Sequence, residues 1–136
     1  MTTFPVFGVA GSGVAVYRKW LDAVSDNLSN LNTVRGTDEA AFQAKYVIAE
    51  AADYGNDGAG SGVRVKGIQL GSAEGRMVYQ PDHPLADAGG YVKYPDIDLG
   101  DQMTHMMMAQ RGYQANLAVV ERATNAYQAA LQLGKR

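Results

Sequence analysis

The last third of the chain, Asp98 to Leu133, carries Leu99, Met103, Met106, Tyr113, Leu117, Val120, Tyr127 and Leu131 in alternating steps of four and three, broken only by Gln110 and Thr124. That rhythm belongs to a helix packed lengthwise on another helix, and few folds accommodate it. Its ends are marked as well. Asp98 is placed to accept from the free amides of the first turn, and Pro95 excludes helix before it. Gly134 offers a residue to end on, and Lys135 and Arg136 place positive charge at the negative end of the dipole. A second line runs beside the first through Ala109, Gly112, Asn116, Val119, Ala123, Ala126, Ala130 and Leu133, mostly small side chains. Two neighbouring faces are therefore fit for burial, and one partner helix cannot cover both.

The complementary helix lies near the start. Ala10, Val14, Tyr17, Leu21, Val24, Leu28 and Leu31 form its seam, with Val9, Gly13, Val16, Trp20, Ala23, Asn27 and Asn30 beside it. Polar residues fill the remaining face, as in an amphipathic surface helix. Met1 to Gly8 has no periodicity and is expected to be a mobile tail. At ~1.5 Å per residue the first helix spans roughly 33 Å and the last roughly 53 Å, leaving about 20 Å of the longer seam uncovered. Uncovered apolar stripes mark interaction sites, so the spacing alone argues for polymerisation.

Between the helices the period changes. Ala40 to Ala52 reads as strand or helix, and Tyr54 to Gly62 as a flexible loop. Val63 to Leu70 and Arg76 to Tyr79 read as strands, expected to pair with each other as a small hairpin. Pro81 to Pro95 holds three of the four prolines and reads as extended connection, with Tyr91 to Tyr94 adding a short edge strand.

Composition and motifs exclude several functions. A net charge of −2 offers no basic footprint for nucleic acid. There is no cysteine, hence no disulfide or thiolate metal site. No apolar run reaches the ~20 residues of a membrane span, and the N-terminus lacks the layout of a cleaved signal. Gly8, Gly11 and Gly13 fail the dinucleotide pattern at Val16. Ser12 lacks the glycines of a nucleophile elbow. His83, with Asp82 and Asp87, forms no repeated ligand pattern, and His105 with Met106 to Met108 continues the heptad as core or interface filling. No catalytic residue, cofactor or metal is expected.

Asp26-Asn27-Leu28-Ser29-Asn30-Leu31-Asn32-Thr33 is richer in asparagine than a helix end needs. Two readings stand: amides capping a fraying end, or Asn27 and Asn30 fixing register against a neighbouring chain. With Val9 to Val14 ahead of it, this run resembles the N-terminal signature of bacterial flagellar rod and hook proteins, with Asp26 where that family has its first asparagine. Pro81, His83, Pro84, Asp87, Gly90, Tyr91, Tyr94 and Pro95 resemble the connector of the family's proximal rod branch. Arg111-Gly112-Tyr113-Gln114-Ala115-Asn116 resembles its C-terminal helix motif. The resemblance covers nearly the full length and is loosest between Arg35 and Gly62.

The resemblance implies a non-enzymatic axial subunit of α+β class. It implies N- and C-terminal helices in a coiled-coil inner domain (1–34 and 97–136) and a small β-rich middle domain with its connector (35–96). It further implies export through the flagellar type III apparatus and assembly in the periplasmic rod. Partners would be other copies, other rod proteins and the junction with the membrane ring and export gate, in a drive shaft that transmits torque. The expected intramolecular seam is Val14, Tyr17, Leu21, Val24, Leu28 and Leu31 against Leu99, Met103, Met106, Tyr113, Leu117, Val120, Tyr127 and Leu131. Trp20, Asn27, Asn30, Asn32, Gly112, Asn116, Val119, Ala123, Ala126 and Ala130 are expected to face neighbours. The alternative is a soluble adaptor of the export or assembly system that forms a finite complex. An enzyme built on His83, Asp82 and Asp87 is the remaining class, and a membrane-surface helix is disfavoured by the lack of a lysine-rich face.

Overall fold

A computed structural model describes residues 5–53 and 60–134. It contains α1 (Pro5–Ser29), β1 (Lys45–Ala51), β2 (Val63–Leu70), β3 (Arg76–Tyr79), β4 (Tyr91–Tyr94) and α2 (Leu99–Leu133), an α+β arrangement. Lys135, Arg136 and most of the Tyr54–Gly62 loop lie outside the described residues.

Pro5 opens α1, where its preset φ suits helix and its missing N–H is not needed. Residues 5–8, expected in a tail, are thus helical, and residues 1–4 lie outside the described range. The 25 residues of α1 and 35 of α2 give lengths of ~37 Å and ~52 Å. Asp98 caps α2 through its carboxylate, which accepts from the Asp101 amide at 2.9 Å. The far end departs from the expected left-handed stop. Gly134 stays right-handed at φ −76°, and its amide donates to Ala130 O.

The helices run antiparallel. Gly13 lies against Asn116, Tyr17 against Gly112, Trp20 against His105 and Asn27 against Gln102. Extended along both axes, that register brings Pro5 level with about residue 124. Roughly the last nine residues of α2, ~13 Å, therefore project past the first helical residue of α1.

β1 and β2 form one antiparallel pair, with a bulge where Ile48 faces Gly67 and Ala49 faces Val65. β3 and β4 form a second pair, from Arg76–Tyr94 to Tyr79–Tyr91. The expected hairpin of 63–70 with 76–79 is therefore replaced by β1–β2 and β3–β4 pairings. Each strand chose a partner by distant contacts that local pattern does not encode. The Pro81–Pro95 connector is likewise mostly the β3–β4 turn, followed by β4.

Among the described residues, the buried apolar side chains are alanines except Val16, Val24, Val92, Pro95 and Ile97. Small side chains let the elements approach closely, but a core this thin leaves the large apolar residues of α2 outside. β1 and β2 pack on α1, where Val16 and Trp20 meet Val47, Ala49 and Val63. In this way α1 lies between α2 and its own sheet.

Candidate assembly interface

On this frame, both lines of α2 contribute to the face toward α1 and both leave residues outside it. Gln102 and Ala109 are buried, and His105, Met106, Gly112, Tyr113, Asn116, Val120, Ala123 and Thr124 are half-buried. They form the face toward α1. Leu99, Met103 and Leu117, expected in the intramolecular seam, are 50%, 53% and 39% exposed. Tyr127 and Leu131 are exposed as well. The assignment of α2 residues to inside and outside is corrected accordingly: the face toward α1 falls between the two lines, taking Met106, Tyr113 and Val120 from one and Ala109, Gly112, Asn116 and Ala123 from the other. The reason is steric. A Cβ on Gly112 would run into the Tyr17 ring, and one on Gly13 into the Asn116 side chain, so only glycine at these points lets the helices approach this closely.

On α1, Val24 is buried, while Val14, Tyr17, Leu21 and Leu28 are half-buried, as is Leu31 just past its end. Residues expected to face neighbours are engaged within the chain. Trp20 stacks on Tyr17 and meets His105 at a tilt of 58°, each pair with ring centroids 5.9 Å apart. Asn27 is fully buried. Its Nδ2 donates to Gln102 Oε1 at 3.0 Å and to Lys45 O at 2.9 Å, while its Oδ1 accepts from the Lys45 amide at 2.7 Å. One amide thus ties α1 to α2 and to the first residue of β1. Asn30 donates to Asp26 O and accepts from Thr33, closing the helix end. Asn116 Nδ2 donates back to Gly112 O. Asn32, Val119, Ala126 and Ala130 are exposed, and Ala123 is half-buried.

Three contributors escaped the sequence reading. Gln102 supplies the buried acceptor for Asn27. Asp26, at the position where the resembling family has asparagine, forms an ion pair with Lys45. Ser12 donates to Val9 O and accepts from the Val63 amide at 3.0 Å, pinning the start of β2 to α1. The hydroxyl weighed as a nucleophile is an anchor. Gly62, at φ +100°, makes this approach possible.

The β3–β4 turn is organised by Asp87. Its Oδ1 accepts from the Gly89 and Tyr91 amides, both at 2.9 Å, and its Oδ2 from the Thr37 hydroxyl at 3.1 Å. The Tyr91 amide, before the others, holds the carboxyl below its ordinary range. Gly90, at φ +82°, turns where a side chain would strike Tyr79 and Pro81. His83 Nδ1 accepts from the Leu85 amide. Tyr79 and Tyr91 meet edge to face at 5.3 Å, Tyr94 bonds Gln80, and Pro95 is buried. His83 and Asp87 therefore serve the turn, and the connector motif is a shape motif.

What remains outside is a large apolar flank on α2, comprising Leu99, Met103, Met107 and Leu117, and the projecting end with Leu131 and Leu133. The family described as flagellar basal body rod FlgEFG protein C-terminal matches residues 88–133, which span β4 and α2. The flagellar basal-body rod protein FlgC of Salmonella typhimurium strain LT2 is 36% identical over 135 residues, 99% of this chain and 100% of that protein. FlgC of Escherichia coli O157:H7 is 34% identical with the same coverage. FlgC of Bacillus subtilis strain 168 is 29% identical over 150 residues, 99% of this chain and all of its own. A projecting, half-uncovered long helix and full-length likeness to such relatives lead to one conclusion: the chain belongs to the FlgC family of flagellar basal-body rod proteins.

Proposed function

We propose that the chain is a structural, non-enzymatic subunit of the proximal part of the basal-body rod, completed by packing against other copies and other rod proteins. In this reading residues 1–34 and 97–136 form an inner domain that becomes a coiled coil in the assembly, and residues 35–96 form an outer β-rich part. The subunit reaches the periplasm through the flagellar export apparatus. There it helps join the ring and export-gate end to the distal rod and transmits torque.

The observation that carries this reading is the outer flank of α2. Leu99, Met103, Met107 and Leu117 all stand at least 39% exposed, on a helix whose adjoining face is already engaged by α1. Single exposed apolar residues need no explanation, but a line of them along one helix marks an interaction surface. α1 has no comparable free line, because the sheet covers its second face. The outer flank is therefore assigned to neighbours, as are the exposed Val119, Ala126 and Ala130 on the other side of the strip that faces α1, in place of the inward-turned Trp20, Asn27, Gly112 and Asn116.

Met103→Glu combined with Leu117→Glu tests this. The variant should keep the helix content of the isolated chain yet fail to enter rods, leaving cells non-motile. Normal incorporation and motility would remove the flank from the assembly surface. A finite complex with one partner at all concentrations would favour the adaptor reading.

A further inference from the structure

At the N-terminal end of α2, Leu31, Asn32, Arg76, Asp96, Ile97 and Leu99 line an open cleft. Leu31, Ile97 and Leu99 give it an apolar side, with Ile97 buried and Leu99 half exposed, and Asn32, Arg76 and Asp96 give it a polar one. Its rim is acidic, for Asp96, Asp98 and Asp101 are all exposed. Arg76 is the one base lining it, and its Nε donates to Pro95 O at 3.4 Å. The opposite end of the same helix has the complementary chemistry. Leu131 and Leu133 are 48% and 75% exposed, and Lys135 and Arg136 follow in sequence.

We propose that this cleft receives the C-terminal end of a neighbouring rod subunit's long helix, an apolar helix end with a basic tip. The proposal rests on the reading of the chain as a rod subunit and names what one end of it holds. Three arguments support that occupant. The charges are opposite at the two ends, acidic around the cleft and basic after Leu133, which orients approach and disfavours the reversed docking. Helix dipoles placed end to end in this sense also attract. Finally, cleft and tip lie at opposite ends of one 35-residue helix, so their engagement is head to tail, and a head-to-tail contact that does not close generates a helical filament.

A photo-crosslinking amino acid, p-benzoylphenylalanine, replaces Leu99 in the full chain, and rods are purified after irradiation. Mass spectrometry of the crosslinked peptide should return the last turns of a long rod-subunit helix, from this chain or a related one. Charge reversal by Asp96→Lys with Asp101→Lys should reduce that product several-fold. Capture of a helix flank or of a β segment would overturn the proposal, as would no capture from rods that contain the variant. If the chain carrying native Leu99 is absent from purified rods, the rod-subunit reading fails instead, so the two failures are distinguishable.

Discussion

The side chain of Asn27 on α1 donates to Oε1 of Gln102 on α2 at 3.0 Å, with both residues withdrawn from solvent. Asn27 also exchanges two hydrogen bonds with the Lys45 backbone. It behaves as one more strand residue offered to the end of β1 while holding the second helix. A buried amide tolerates only arrangements in which its partners are met, so this contact selects one register of α1 on α2.

Asn27→Ala should therefore cost more than a typical cavity. The Lys45 amide and carbonyl and Gln102 Oε1 each lose a partner, and leaving buried polar groups unmet costs ~1–3 kcal/mol apiece, so a loss of about 3 kcal/mol is expected. Urea unfolding of the isolated chain measures it. In a cycle with Gln102→Leu, the double variant should lose less than the two singles together. Strict additivity would show the pair uncoupled.

How far the sequence disclosed this arrangement depends on the range of the interaction. Asp98 was legible as a cap because its chemistry completes within one turn. Both helices were legible from their heptads, although α1 begins at Pro5 before its pattern does. That the face toward α1 falls between the two lines of α2 was not. The deciding facts are the Tyr17 ring over Gly112 and a sheet that occupies the second face of α1, both set by distant segments. Gln102 carries no burial signal of its own, because glutamine in a helix usually faces solvent. Asp87 with Gly89 and Gly90 was the available signal for a turn, but the surrounding prolines read more strongly as connection.

Glycines on α1 and α2 should respond in opposite directions to alanine. Nothing stands within 4 Å of a Cβ built on Gly11, so Gly11→Ala should stabilise the isolated chain by about 0.5–1 kcal/mol through lower unfolded-state entropy. Gly112→Ala must displace the Tyr17 ring and should destabilise by about 1–3 kcal/mol. Thermal melts of the two variants check the sign. Equal shifts would mean that Gly112 is not the point of closest approach.

Ser12→Ala removes the acceptor of the Val63 amide and should loosen the start of β2 from α1. A net hydrogen bond of this kind contributes ~1 kcal/mol. Hydrogen exchange should rise at Val63 and its neighbours on β2, with little change at the Asn27 end of the sheet. Uniform acceleration across both sheets would instead indicate global destabilisation.

The β3–β4 turn should carry an acid-labile element with a predictable sign. Asp87 is held below its ordinary 3.8, chiefly by the Tyr91 amide, so the folded chain binds its proton less readily than the unfolded chain. Such a group's stabilisation is fully present above the unfolded value of ~3.9 and is lost as pH falls through the depressed folded value. Carboxyl-detected titration should place the Asp87 midpoint below 3.8. In Asp87→Asn the turn keeps a side-chain acceptor but loses the charge, so stability should be lower at neutral pH and its decline below pH ~4 shallower than in the parent chain. Parallel acid limbs for the two proteins would mean that the amides of Gly89 and Tyr91 do not read that charge. The turn would then be held by backbone geometry at Gly90 alone.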